Sequence, residues 1–155
     1  MQKQRDEHYV LNLCDQVLGC NSTRQARFDY LRGDSRDPAR LGVQLPVDAY
    51  WPDLNLVVEY RERQHVMSVA HFDKPNVVTV SGVHRGEQRR RYDQLRREVL
   101  PRKGIRLIEI LYSEFAHDSR GRLRRQMQDD IEVVRGKLGL ALFRPVIGPG
   151  AHVEG

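Results

Sequence analysis

Two short strand patterns, separated by only four residues, constrain the fold of this chain more than any other feature. Residues 43–50 (VQLPVDAY) alternate apolar and polar side chains, and residues 55–61 (NLVVEYR) carry a β-branched pair that indicates burial on both faces. Because the connecting WPDL is a turn signal, we expect the two strands to pair antiparallel. Their apolar faces match in a register that sets Asp48 directly opposite Glu59.

The remaining periodicity predicts an α/β domain with the order helix, three strands, helix, strand, helix. The second helix can supply the crossover to the last strand. The helices are expected at 4–18, 86–100 and 122–137. The first and last strands are expected at 26–33 and 105–112, with short additional strands at 76–80 and 138–147. A turn is expected at 21–26. The residues expected to face the core include Val43, Leu45, Val47 and Ala49 of the second strand, and Leu123, Met127, Ile131 and Val134 of the last helix. Pro46 has no backbone N–H, so it indicates an edge position or a non-bonded site.

Length and composition predict a single soluble domain. The chain has 155 residues, of which 39% are hydrophobic and 30% charged, so it is not of the disordered class. No apolar run approaches the ~18–20 residues of a membrane span, and the N-terminal segment has no signal-peptide pattern. Cys14 and Cys20 are too few for a disulfide scaffold and fit no common zinc spacing. We expect a cytoplasmic protein with one domain over 1–143 and a flexible tail over 144–155.

Positive charge is concentrated in one segment of the chain. The 26 basic and 21 acidic residues give a net charge of +5, whereas residues 84–106 alone carry nine basic and three acidic residues, a net charge of +6. Clustered arginine favours a polyanionic partner, because each phosphate contact releases counterions. The alternative is a solvated helix face with ion pairs along the helix. The predicted phosphate contacts are Arg85, Arg89, Arg90, Arg91, Arg96 and Arg97.

The expected pairing of Asp48 and Glu59 points to a metal site. Like charges directly opposite each other on paired strands are destabilising, and a divalent cation between them would remove that penalty. Hard oxygen ligands favour Mg²⁺ or Mn²⁺. The alternative is a pair of solvated carboxylates on a polar sheet face.

Two further residues are candidates near that pair. If the third strand stays regular, its polar face continues from Glu59 through Arg61 and Arg63 to His65, a candidate general acid or base. Asp93 lies in the basic helix, where it either joins an ion-pair network or orients a catalytic group.

Two stretches of the sequence match a family pattern. The run LPVDAYWPDLNLVVEYRERQH, followed by RRRYDQLRREVLPRKGIRLIEI, resembles the PD-(D/E)XK (restriction-endonuclease-like) nuclease superfamily. Its most similar branch is the very-short-patch-repair-like endonucleases, whose site is called EDxHD. The resemblance covers roughly residues 5–112 and implies a restriction-endonuclease-like core, with a mixed four-stranded sheet flanked by helices and its first three strands antiparallel.

The resemblance also assigns roles to residues. Asp48 corresponds to the central metal ligand, Glu59 to the second acid, His65 and Asp93 to the last two site residues, Glu7 to the acid of the N-terminal helix, and Gln64 to a supporting residue. Arg61 stands where the superfamily has lysine; it stays protonated and cannot be a base, but it can stabilise a phosphorane-like transition state. Arg61 and Glu62 replace the Asp-Gly turn of the family.

These observations lead to the expectation of a Mg²⁺- or Mn²⁺-dependent DNA endonuclease that hydrolyses or nicks the backbone. Phage defence, restriction, repair and mobile-element processing are the expected settings. The alternatives are a catalytically weakened nucleic-acid-binding module, or a subunit that works as a homodimer or in a larger nuclease complex. The chain lacks a GxxxxGK[ST] motif, so we expect no NTP site of its own. A metabolic enzyme with a small acidic substrate is a more distant alternative.

Overall fold

The computed structural model describes residues 2–63 and 85–142 of the chain. Helices and strands follow in the predicted order of helix, three strands, helix, strand, helix. They are α1 (Gln2–Leu18), β1 (Thr23–Arg32), β2 (Gln44–Trp51), β3 (Leu56–Arg61), α2 (Arg85–Arg102), β4 (Arg106–Leu111) and α3 (Met127–Leu142).

The four strands form one mixed sheet in the order β1-β2-β3-β4. β1 pairs with β2, and β2 with β3, in antiparallel fashion, whereas β3 and β4 run parallel. A parallel pair needs a crossover connection, and α2 lies within it. The predicted α/β class, with three antiparallel strands followed by a crossover, is confirmed.

Two clusters of buried apolar side chains lie on opposite faces of β3. Leu56, Val58 and Tyr60 pack in the first cluster, with residues of α1 and α3. Val57 points to the other face and packs in the second cluster, together with Leu100 of α2. Every residue of β3 is buried, as its β-branched composition predicts.

The β1–β2 region departs from the sequence prediction in three places. β1 begins at Thr23, so the turn expected at 21–26 is mostly strand. Val43 lies before β2 and is 73% exposed, whereas the alternation of buried residues in β2 runs from Leu45 to Trp51. Pro46 lies inside β2, which is an inner strand, so of the two predicted placements the edge position is wrong and the non-bonded site holds on the side of β3. The ladder between β2 and β3 begins only at Ala49, so the missing N–H of Pro46 interrupts no rung of it.

The last helix is displaced toward the C-terminus relative to its prediction. Residues 122–126 are not helical, and their backbone donors bond outside a helix: Asp118 accepts the N–H of Arg122, and Asp6 accepts the N–H of Leu123. Met127, expected in the core, is exposed at the first position of α3. α3 then continues to Leu142, so the strand expected at 138–147 is wrong for residues 138–142. Val134 and Leu138, four residues apart, are both buried, as on one face of a helix.

β3 ends at Arg61 and does not continue toward residue 65 as expected. Arg63 turns to the loop before α3, where its Nη1 donates a hydrogen bond to the carbonyl of Ser119 at 3.0 Å. Gln64 and His65, the strand expected at 76–80 and the tail over 144–155 lie outside the described residues.

Candidate functional site

Asp48 and Glu59 meet where the ladder between β2 and β3 opens. The last backbone pairs of that ladder are Trp51–Leu56, Tyr50–Val57 and Ala49–Val58. Beyond them the carboxylates connect the strands: the N–H of Asp48 donates to Glu59 Oε2 at 3.2 Å, and the N–H of Tyr60 donates to Asp48 Oδ2 at 2.8 Å. The predicted juxtaposition of Asp48 and Glu59 is therefore confirmed, and the two side chains are fixed by backbone donors.

The environment of Glu59 favours its neutral form. Glu59 is 3% exposed, and Asp48 beside it is half-buried. Burial raises the pKa of Glu59 well above its ordinary range, and the charge of Asp48 and a hydrogen bond with its carboxyl raise it further, against the opposing charges of Arg96 and Arg61. Two carboxyl groups this close favour holding one proton between them.

One oxygen of Glu59 lacks a hydrogen bond among the described residues. This buried atom, Oε1, lies 3.1 Å from Nε of Arg96, close enough for an ion pair but without the alignment of a hydrogen bond. Arg96 directs its Nε and Nη2 to the carbonyl of Pro46 instead, at 3.2 and 2.9 Å. Arg96, expected on the phosphate-contacting surface, thus turns inward, with its side chain 13% exposed.

Arg61 is held inside the protein by two acids. Its Nη1 lies 2.6 Å from Asp93 Oδ1 on α2, and its Nε lies 2.9 Å from Glu109 Oε1 on β4. Asp93 Oδ1 also accepts a bond from Arg96 Nη1 at 3.2 Å. The ion-pair role considered for Asp93 is therefore present, and it brings Arg61 and Arg96 together beside Glu59.

The other predicted phosphate contacts lie along α2 with different exposures. Arg97 is exposed and directs its Nε and Nη2 to the carboxylate of Glu109. Arg91 is exposed and lies 3.2 Å from Asp34 of the β1–β2 loop. Arg85 and Arg90 are also exposed, and Arg89 is half-buried.

Glu7 lies on the α1 side of the sheet. Burial raises the pKa of the Tyr60 hydroxyl most, and the negative charges near it, including that of Glu7, raise this pKa further. Tyr60 belongs to the first cluster, whereas Glu59 faces α2. The described contacts therefore bring together Asp48, Glu59, Arg61 and Asp93, but place Glu7 on the other face.

The donor set around Asp48 contains few protein ligands for a metal ion. In the described part of the chain no group of three or more His, Cys, Asp and Glu side chains is arranged to hold one. A Mg²⁺ ion, however, commonly uses only one or two carboxylates, with waters and substrate phosphate as the other ligands. The Asp48–Glu59 pair, with the unbonded Glu59 Oε1, fits that smaller requirement.

Glu109 is the site residue that the sequence reasoning missed. It pairs with Arg61 and Arg97 and so links β3, β4 and α2. A signal was present, because Glu109 is the one acid within the apolar run LIEIL of β4. A charged residue inside a buried strand requires a partner of opposite charge.

Comparison of the chain with protein-family models, with curated proteins and with solved structures found no match. Among the described residues, no helix combines the length and the apolar character needed to cross a membrane.

Proposed function

We propose that this chain is a metal-dependent DNA endonuclease, built on a restriction-endonuclease-like core, that hydrolyses or nicks the phosphodiester backbone. The observation that carries the proposal is the Asp48–Glu59 pair, held side by side at the end of a strand ladder by two backbone N–H groups. Two observations support it. The paired carboxylates are the residues that correspond to the two acids of the nuclease family in the resemblance, and the order of helices and strands matches the order expected for that family.

Asp48 and Glu59 are the residues that would hold Mg²⁺ or Mn²⁺. Such an ion, when bound, would supply an activated water and would polarise a scissile phosphate. The backbone donors of Asp48 and Tyr60 orient the carboxylates, so less conformational freedom is lost when a ligand binds. Exposed arginines of α2, such as Arg85 and Arg90, would contact flanking phosphates.

The roles of His65 and Gln64 come from the resemblance alone. His65 would move a proton during hydrolysis, and Gln64 would support it. Arg61 would act through Asp93, since its guanidinium is directed to Asp93 and Glu109. We therefore place Arg61 as a positioning residue that holds α2 against β3.

The test is cleavage of supercoiled plasmid in Mg²⁺ or Mn²⁺, compared between the wild type, Asp48→Asn and Glu59→Gln. We expect wild-type nicking or linearisation, and a loss of at least about 100-fold in each variant, because removing one electrostatic contributor to phosphoryl transfer typically costs that much. Asp53→Asn is the matched control, since Asp53 is exposed in the turn between β2 and β3. Cleavage that survives in Asp48→Asn, or that is lost equally in Asp53→Asn, would overturn the proposal.

A second candidate function is a nucleic-acid-binding module without cleavage. The observation that favours it is the inward orientation of Arg61 and Arg96, whose charges already compensate the acids on this side of the sheet. This function predicts DNA binding that weakens steeply with salt, and no metal-dependent cutting. Cleavage that depends on Asp48 rejects it.

A further inference from the structure

Arg96 is anchored next to the carboxylate pair by groups other than that pair. Two of its nitrogens donate to the Pro46 carbonyl at 3.2 and 2.9 Å, and Nη1 donates to Asp93 Oδ1 at 3.2 Å. Its guanidinium would therefore keep these three hydrogen bonds if Glu59 turned to another ligand.

The contact between Arg96 and Glu59 is one of charge. Nε lies 3.1 Å from Glu59 Oε1, but its N–H is directed to Pro46, and Oε1 has no hydrogen bond among the described residues. Glu59 thus keeps the lone pairs of a buried oxygen available to a ligand, while a fixed positive charge lies beside them. This arrangement differs from a buried ion pair in which each partner satisfies the other.

We propose that Arg96 is a fixed counter-ion that lowers the affinity of the Asp48–Glu59 pair for a divalent cation. The inference rests on the proposed function, because it concerns the same site. With Arg96 in place, the carboxyl pair presents one negative charge fewer to an incoming cation than it does without Arg96. Substrate phosphate brings negative charge to the same place, so metal binding becomes favourable when nucleic acid is present.

The test is the affinity for Mn²⁺ alone, measured by titration calorimetry or by the electron paramagnetic resonance signal of free Mn²⁺. We expect Arg96→Met to bind Mn²⁺ about tenfold more tightly than the wild type, equivalent to about 1.4 kcal/mol. Arg96→Lys keeps the charge and should bind within about twofold of the wild type, if the ammonium stays near Glu59. Arg102→Met is the matched control, because Arg102 is exposed at the end of the same helix and should leave the affinity unchanged.

Folding of each variant is checked by circular dichroism before titration. Arg96→Gln is the second neutral variant, because its amide can still donate to the Pro46 carbonyl if Arg96→Met does not fold. Equal or weaker Mn²⁺ binding in the folded neutral variant overturns the inference, as does equal tightening in Arg102→Met.

Asp48→Asn separates this inference from the proposed function. If wild-type binding disappears in Asp48→Asn but the neutral Arg96 variants bind like the wild type, the metal site stands and the role of Arg96 is wrong. If binding appears only in the neutral Arg96 variants and depends on Asp48, the role of Arg96 is supported. If no form binds Mn²⁺ in a way that depends on Asp48, the role of Arg96 and the metal site are both rejected.

Discussion

Glu59, Arg61 and Asp93 are ionisable side chains that the fold buries almost completely. Burying a charge is costly unless an opposite charge and hydrogen bonds compensate it. Arg61 is compensated from two sides, by Asp93 and by Glu109. Glu59 is compensated less well, because a second carboxyl group, that of Asp48, lies beside it. This local imbalance is what makes Glu59 the residue best suited to take up an additional cation.

Glu109→Gln is predicted to destabilise the protein at neutral pH but not at low pH. Partial burial acts to raise the pKa of Glu109, but hydrogen bonds and charges from Arg97 and Arg61 outweigh it and lower the pKa below the ordinary 4.5. A lowered pKa in the folded state adds stability above the unfolded value, and this stability is lost as the pH falls through the folded value. We expect a loss of about 1–3 kcal/mol in the free energy of unfolding at pH 7.

Urea unfolding at pH 7 and at pH 3 measures this effect, with Glu132→Gln as the control. Glu132 makes an exposed ion pair with Arg135 three residues away and should contribute little at either pH. An equal loss at both pH values would show that Glu109 acts through packing and not through its charge.

At the residue scale, the sequence was sufficient to predict that Asp48 and Glu59 lie side by side, but not to predict the contacts of the residues around them. Strict alternation and a short connection set the register of β2 and β3, so the juxtaposition followed from local rules. The inward turn of Arg96 and the pairing of Glu109 depend on how α2 is rotated against the sheet. That rotation is set by contacts between elements far apart in sequence, which no local pattern contains.

At the scale of elements, α2 is attached to the sheet by ion pairs as well as by apolar packing, in which the part-buried Tyr92, Leu95 and Val99 join Leu100. Its buried residues are Gly86, Asp93 and Leu100, of which only Leu100 is a large apolar side chain. Arg61 of β3 and Glu109 of β4 form the ion pairs that connect the strands with the helix. The position of α2 therefore depends on oriented ion pairs together with an apolar contact surface.

Arg61→Met is predicted to lower the free energy of unfolding by about 3–5 kcal/mol, because it leaves buried Asp93 and part-buried Glu109 with less compensation. Arg135→Met removes an exposed ion pair in α3 and should change stability by about 0.5 kcal/mol or less. Chemical denaturation of the two variants gives the comparison. Equal stability losses would mean that the contacts of Arg61 are no more important than a surface pair.

The element prediction was accurate where the signal is local and failed where distant groups intervene. The order of elements and the burial of β3 followed from periodicity. The start of α3 did not, because Asp6 on α1 takes the backbone donor of Leu123. Just beyond the end of β3, Arg63 likewise contacts a distant segment, the loop at Ser119.

At the scale of the whole molecule, the first and the last described helices pack on each other. The hydroxyl of Tyr9 on α1 donates to Asp130 on α3 at 2.5 Å. The guanidinium of Arg125 lies over the Tyr9 ring, 4.5 Å from its centroid, and 3.3 Å from Asp6. These contacts close the first cluster on the side of the sheet opposite α2.

A double-mutant cycle on Tyr9→Phe and Asp130→Asn should reveal coupling between α1 and α3. A hydrogen bond to a charged group contributes about 1.5–3 kcal/mol, so we expect a coupling energy of about 1 kcal/mol or more from thermal or urea unfolding. Asp129→Asn, at the exposed neighbouring position, should show no coupling with Tyr9→Phe. Additive losses in the first cycle would mean that the two helices are held by apolar contacts alone.

The packing of α1 on α3 has a consequence for how the chain is made. Val10, Leu13 and Cys14 of α1 share a cluster with Val134 and Leu138 of α3. At roughly 5–20 residues per second, a ribosome needs on the order of ten seconds between the synthesis of these two helices. During that interval the apolar side of α1 lacks the helix that covers it, so the nascent chain exposes apolar surface that the finished protein buries.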